Sequence, residues 1–264
     1  MSAAPGYVYL MYHEIERPGR PLCRNETGYV RYIVSESDFR DQMYSLRDSG
    51  SRGMKVGEAL LNPGAPGVVI TFDDGSETDL IIAAPLLREL GFDATCYVTV
   101  GFLEKRGYLS RKQLREMGDL GLEIGSHSMT HPYLSDLSQE QLTYEISGSK
   151  QELEQITGCP VHHFSCPGGR WDPRVAATAR QAGYRSVATS QASTNPPNAN
   201  PDALGRIAIL RGTDLGTFQA LSNGRGLWKI RLKDSVRSSA RRLLGNSAYD
   251  RARRKLLEWG PGSQ

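Results

Sequence analysis

Val69-Ile70-Thr71-Phe72-Asp73-Asp74-Gly75 is the stretch on which the reading of this chain turns. An apolar, β-branched run of strand length delivers two adjacent carboxylates and a glycine. Side chains alternate across a strand, so neighbouring aspartates at its end project in different directions. One can hold a metal ion while the other stays free as a base. Gly75 gives the backbone the freedom for the tight turn that presents them. Taken alone, the same seven residues also read as an ordinary Asp-Asp-Gly turn.

Outward from this stretch the arrangement repeats. Short apolar runs over 7–13, 68–72, 94–100, 122–125, 162–165, 184–189 and 206–210 predict strands. A 3.6-residue periodicity predicts helices over 37–48, 78–90, 110–120, 138–157 and 173–182. Ser138 reads as a helix N-cap, and Gly91 and Gly158 as stop signals. Segment 16–28, with its Pro and Gly, and the Asn- and Pro-rich segment 191–203 read as loops. Strand alternating with helix joins neighbours by crossovers, which implies an α/β fold with a largely parallel sheet.

Three further strand ends carry polar groups. Ile124-Gly-Ser-His127-Ser-Met-Thr-His131 places two histidines four apart, on one helical turn or curled loop, where both can point a ring nitrogen at one ion. Phe164-Ser165-Cys166-Pro167-Gly168-Gly169 makes a turn with uncluttered backbone N–H groups, suited to an oxyanion. Tyr7-Val-Tyr-Leu10-Met11-Tyr12-His13 ends a strand in a lone histidine. Each has a plain structural reading as a turn, cap or rim residue. Gathered at four strand ends, they point to one site at the C-terminal face of a parallel α/β barrel.

Composition bounds the alternatives. With 264 residues, 39% hydrophobic and 23% charged, the chain is globular and can bury a core. No apolar stretch approaches the roughly 20 residues that span a bilayer. The N-terminus lacks a basic and then apolar leader pattern, so the expected location is the cytoplasm, peripheral at the inner membrane face at most. Cys23, Cys96, Cys159 and Cys166 form no CxxC pair and are expected as reduced thiols. The net charge of +3 is unevenly distributed: 225–264 carries 11 basic and 3 acidic residues, net +8, leaving 1–224 at net −5. We therefore expect a catalytic domain over 1–224 and a basic helical tail over 225–264. The apolar Val236, Ala240, Leu243, Leu244, Leu256, Leu257 and Trp259 share one helical face of that tail. It reads either as a docked terminal helix or as an interfacial helix drawn to anionic lipid. No nucleic-acid partner is expected, because no recognition motif and little aromatic interleaving occur.

The strand-end motifs resemble those of the polysaccharide deacetylase family (the NodB-homology group, carbohydrate esterase family 4). Thr71-Phe-Asp-Asp-Gly75 is similar to its first motif, His127-Ser-Met-Thr-His131 to its second and Phe164 to Gly169 to its third. The resemblance extends over about 7–220. It implies a distorted (β/α) barrel of about seven parallel strands and a divalent metal, commonly zinc. By motif position Asp74, His127 and His131 would be metal ligands, Asp73 the catalytic base and the Gly168 N–H an oxyanion donor. The family's third motif usually opens with an Arg that supports the base, where this chain has Ser165; Arg206 is the candidate to supply that cation, and it is counted with Met11 on the substrate side. The family's C-terminal His is also missing, since no His follows His163. A circularly permuted branch, similar to exopolysaccharide deacetylases, carries that group as a Tyr-His pair closing the first strand. Tyr12-His13 resembles it, making His13 the general acid and Met11 a wall of the acetyl-methyl pocket.

The reaction so implied is removal of N-acetyl groups from hexosamine units of a polysaccharide or lipid-linked glycan precursor. The other readings are a non-catalytic glycan binder of the same fold and an O-acetyl esterase using the same metal site. A serine hydrolase and a P-loop enzyme are disfavoured, since neither G-x-S-x-G nor G-K-[ST] occurs.

Overall fold

In a computed structural model of the chain, residues 6–64, 67–228 and 230–232 are described. Most of the basic tail, 233–264, lies outside the described residues.

The described residues contain ten strands: β1 (Val8–Tyr12), β2 (Ile15–Glu16), β3 (Val34–Ser35), β4 (Gly53–Met54), β5 (Val68–Asp74), β6 (Thr95–Val98), β7 (Glu123–Ser126), β8 (His163–Ser165), β9 (Ser186–Ala188) and β10 (Ile207–Ala208). Seven of them form one sheet in the order β10-β1-β5-β6-β7-β8-β9, with β4 added beside β5, and every pairing in it is parallel. β2 and β3 make a separate two-stranded ribbon. The sheet curls into the expected distorted (β/α) barrel.

The helices are α1 (Thr27–Val30), α2 (Glu36–Asp48), α3 (Val56–Leu61), α4 (Ala84–Leu90), α5 (Arg111–Asp119), α6 (Gln139–Thr143), α7 (Ser149–Thr157), α8 (Pro173–Gln181) and α9 (Leu215–Ser222). Several of them start at side-chain caps: Ser110 and Ser138 form capping boxes with Gln113 and Gln141, and Asp172 caps α8 ahead of Pro173. Gly91 and Gly158 end α4 and α7 in the left-handed conformation, which a glycine adopts without strain. Two predicted helices are interrupted by π-helical turns, Asp79–Ala83 before α4 and Tyr144–Gly148 between α6 and α7. Each inserts a residue into the i→i−4 ladder, a change that periodicity does not reveal.

All seven residues of β5 are buried, as expected of a central parallel strand covered on both faces. Alternation divides the core in two. Leu10, Ile70, Phe72, Cys96, Ile124 and Phe164 belong to a large cluster shared with the helices. Tyr9, Val69, Tyr97, Ala188 and Leu204 form a smaller cluster inside the curl of the sheet. Asp73, two residues beyond Thr71 and four beyond Val69, falls on the inner face; Asp74 falls on the other. Parallel strands end on the same side, so the four predicted strand-end motifs share one rim.

Candidate active site

Asp74 closes β5 with φ +77° and Gly75 follows at +82°, so the chain turns through two left-handed residues immediately after the aspartates. A side chain on Gly75 would also meet Val98 Cγ1 at 3.1 Å. For Asp74 this backbone is uncommon, a local strain of the kind that accumulates at functional positions. It turns the two carboxylates apart, with His127 Nε2 standing beside both, 3.8 Å from Asp73 Oδ2 and 3.6 Å from Asp74 Oδ1.

Asp73 faces Arg206. The guanidinium forks onto the carboxylate, with Nη1 2.7 Å from Oδ1 and Nη2 2.8 Å from Oδ2. Its other donors go to Thr71 Oγ1, Ser165 Oγ and the Thr189 carbonyl, so all five N–H groups are engaged. Arg206 is fully buried, stacked 5.3 Å from the Tyr97 ring centroid. Burial alone would raise the Asp73 pKa, but Arg206 and His127 outweigh it and hold the carboxyl below its usual range. This corrects the substrate-side placement of Arg206: no donor remains for a ligand, and its partner is the carboxylate. Ser165, standing where the resembling family has Arg, accepts from Arg206 at 2.7 Å. The cation therefore reaches Asp73 from the segment before β10 instead of from β8.

Asp74 faces two imidazoles. Its Oδ1 lies 3.2 Å from His131 Nε2 and 3.6 Å from His127 Nε2, and the three donor atoms fall within 4.8 Å of one another. His127 Nδ1 lies 2.9 Å from the Ser165 carbonyl oxygen, which can only accept, so Nδ1 carries the proton and Nε2 is left as a lone-pair donor. Burial depresses the His127 pKa to about 4, with Asp73 pulling the other way, and the ring is neutral. Burial would raise the Asp74 pKa, but the neighbouring His131, His13 and His127 hold it well below the carboxylate range. Asp74 Oδ1 is buried and has no hydrogen-bond partner among the described residues. A buried acceptor left unpaired between two imidazole nitrogens matches the donor set of a divalent-cation site.

The histidines sit on a loop rather than a helix turn. Ser128 and His131 are left-handed, with φ +71° and +68°. Ser128 Oγ accepts the His131 N–H at 2.9 Å, and the Glu145 carboxylate accepts Thr130 N–H and Oγ1–H at 2.8 and 2.6 Å. Glu145 lies in the π-helical turn between α6 and α7, which ties that irregularity to the shape of the loop.

The remaining predicted residues surround this centre. His13 follows β1, stacks on Tyr32 at 4.8 Å and leaves Nδ1 buried without a partner. Burial lowers its pKa, opposed by Asp74 and Asp73, which places it within their electrostatic reach. Met11 pairs in register with Thr71 and shares the inner face with Tyr9; Ser190 Oγ lies 3.7 Å from its sulfur. Gly168 has φ +60° in the turn after β8, where a Cβ would stand 2.7 Å from Tyr133 Cε1. The structure gives no direct bond from Gly168 or Met11 to the aspartates. Cys166 is fully buried, its thiol pKa pushed up by burial, and all four cysteines are free.

Arg24 was not foreseen. It reaches in from the 16–28 loop, with Nη2 4.0 Å from Asp74 Oδ2. A Pro- and Gly-bearing loop carries no periodic signal, and nothing local marks Arg24 among the chain's 32 basic residues.

The sequence pattern of the polysaccharide deacetylase family matches residues 61–187, which hold the aspartate pair, both histidines and the Pro-Gly-Gly turn. A peptidoglycan-N-acetylglucosamine deacetylase of Bacillus cereus is 36% identical over 136 residues, 51% of this chain and 61% of that protein. The chain therefore spans under two thirds of that relative's length. The Streptococcus pyogenes deacetylase PplD, solved with acetate, superposes with a TM-score of 0.73 at 26% identity, over 83% of this chain and 99% of that one. IcaB from Ammonifex degensii shares the fold, with a TM-score of 0.71 at 23% identity over 84% and 98% of the two chains. The motif residues assembled on one rim and these matches agree: residues 61–187 carry the sequence pattern of the polysaccharide deacetylase family.

Proposed function

We propose that the protein is a metal-dependent hydrolase that removes N-acetyl groups from hexosamine units of a glycan. The observation that carries this reading is the division of labour between the two aspartates: Asp73 clamped by Arg206, Asp74 unpaired between two imidazoles. Asp74, His127 and His131 would hold the cation, and two imidazoles with one carboxylate suit zinc. Such an ion, when bound, polarises the amide and lowers the pKa of water toward neutrality.

The chain's own groups do the rest. Asp73, kept ionised by Arg206, takes the proton of the attacking water, and the fork fixes which carboxylate oxygens are available. The Gly168 N–H donates to the developing oxyanion, an interaction worth about 3–4 kcal/mol for a well-placed donor. His13 delivers a proton to the departing amine, which cannot leave as an anion. Met11 lines the space for the acetyl methyl.

Arg206 also removes the observation that favoured a non-catalytic binder, because the cation absent at Ser165 is supplied from elsewhere in the chain. The test is acetate release from N-acetylated and O-acetylated oligosaccharides, with and without chelator. Metal-dependent release from the N-acetyl substrates is expected; release only from O-acetyl esters overturns the amide assignment.

The domain boundary near residue 224 and the basic segment 225–264 extend the proposal: the net +8 attracts this end of the chain to an anionic membrane. No helix among the described residues is long and apolar enough to cross a membrane. Co-sedimentation with anionic and neutral vesicles should show binding of the full chain that a chain ending at residue 224 loses; equal binding by both overturns it.

A further inference from the structure

We propose that Arg24 and Tyr29 form a carboxylate-binding subsite beside the Asp74–His127–His131 cluster, a reading that rests on the deacetylase function above. The loop bearing Arg24 is built rather than draped. Arg20 bridges Glu14 and Glu77 at 2.7 Å each and donates to the Gly107 carbonyl at 2.9 Å. The Cys23 N–H donates to the Glu14 carboxylate at 3.0 and 3.1 Å. Glu14 follows His13 directly, so the loop is anchored to the end of β1.

The Arg24 guanidinium is oriented by aromatic surfaces. Its carbon lies 4.5 Å from the Phe102 centroid and 5.1 Å from that of Tyr29, and Nε donates to Tyr108 Oη at 2.8 Å. Phe102 in turn packs on His131, with centroids 5.5 Å apart. The free edge of the fork is Nη2, buried and without a hydrogen-bond partner among the described residues. Among the described residues its charge is answered by Asp74 Oδ2 at 4.0 Å, beyond hydrogen-bond range, and Asp74 already faces two imidazoles. Tyr29 is 8% exposed; its Oη stands near the Cys23 thiol and meets no oxygen or nitrogen acceptor among the described residues. Burial, then the nearby Cys23, Glu14 and Asp74, push the phenol pKa upward, so it remains a neutral donor.

Two buried donor atoms left without an acceptor are a cost to the fold. A ligand oxygen at this edge would offset that cost. A carboxylate fits better than a sugar hydroxyl, because a cationic donor with a buried edge gains most from an anionic acceptor, and a planar carboxylate offers two oxygens at once. The carboxylate has two sources: an acidic substituent on the glycan or the acetate released by the reaction.

The experiment compares the full chain with Arg24→Gln, Arg24→Lys and Tyr29→Phe. Rates are measured on a neutral N-acetylglucosamine oligomer and on one of equal length bearing carboxylate substituents, and inhibition by acetate is measured on the neutral substrate. If the glycan supplies the carboxylate, the wild type prefers the acidic oligomer by about tenfold or more, and Arg24→Gln abolishes the preference, lowering kcat/KM on the acidic oligomer about tenfold more than on the neutral one. Arg24→Lys keeps part of the preference. If acetate is the occupant, Arg24→Gln weakens acetate inhibition by a similar factor with no substrate preference in the wild type. The subsite is overturned if Arg24→Gln changes neither quantity, or slows both substrates equally. Should the wild type release no acetate at all, the deacetylase reading fails. Calorimetric binding of a deacetylated acidic oligomer to wild type and Arg24→Gln then decides the subsite alone: binding lost in the variant supports it, and equal binding overturns it.

Discussion

The two ends of the barrel use the same residue types to opposite effect. At the N-terminal ends of the strands, His163 opens β8, Glu123 opens β7 and Ser186 opens β9. His163 Nδ1 lies 2.9 Å from Ser186 Oγ, and Nε2 lies 3.5 Å from Glu123 Oε1. The Glu123 carboxylate also accepts from Thr95 Oγ1 and from the Gly57 N–H at the start of α3. Serine, histidine and carboxylate line up as in a hydrolytic relay, yet His163 and Ser186 are buried and each polar group is paired. At the C-terminal ends, His13 Nδ1, Arg24 Nη2, Tyr29 Oη and Asp74 Oδ1 are buried without a hydrogen-bond partner among the described residues. The composition of a cluster does not separate a plug from a site; the state of its polar atoms does.

That contrast can be broken at four points. The largest effect is expected at Asp73→Asn, which should lower turnover about 10³–10⁴-fold while metal content stays unchanged. Acetate release and metal analysis on the same sample check it, and loss of metal with activity would mean the two aspartates share one role. Arg206→Met strips the counter-charge from a buried carboxylate and should cost about 3–5 kcal/mol of stability, read by denaturant unfolding, with turnover falling in the fraction that folds. Arg206→Lys, keeping charge but not the fork, should recover stability more than rate. His13→Gln should slow turnover about 10²-fold with metal and stability intact. Burial lowers the His13 pKa below 6.5, so the wild-type rate should decline as pH rises from mildly acidic values, and the variant should lose that limb.

The smallest effect belongs to the other end. Burial would raise the Glu123 pKa, but bonds from His163, Thr95 and Gly57 outweigh it and leave the carboxyl below 4.5. A carboxyl depressed on folding stabilises the native state above its unfolded pKa and loses that contribution as pH falls through the folded value. Glu123→Gln should therefore cost about 1–2 kcal/mol at pH 7 with turnover unchanged, and the difference from wild type should shrink below about pH 4. A loss of turnover without a change in stability would show the two ends to be coupled.

Much of this site could be read from the chain itself. The four motifs end strands, and a parallel sheet brings strand ends to one rim without further information. The Asp74–His127–His131 cluster follows from motif position, and Ser165 in place of the motif's Arg marks where a cation must come from elsewhere. Other features rest on long-range contacts. Arg206 lies 133 residues from Asp73, and nothing local shows that its five donors are all committed. The two-residue β2, β3, β4 and β10 are too short for alternation to register. The π-helical turns keep the apolar pattern of the helices they interrupt. Arg24 depends on a loop whose shape is set by Glu14, Glu77 and Gly107, at sequence distances of 10 to 83 residues from it.

The position of β1 bears on how the enzyme is made. β1 emerges first from the ribosome, yet its sheet neighbours are β5 and β10, whose paired residues lie 60 and 197 positions later. A nascent chain holding Asp73 but not yet Arg206 has a carboxylate destined for burial with no counter-ion, so the inner face of the sheet cannot close stably around it. Completion of the fold and burial of the ionised Asp73 carboxylate become one event, reached only when the last strand is delivered. Premature termination before residue 206 should then yield chains that expose the inner face of the sheet and are cleared, rather than folded domains that lack one loop.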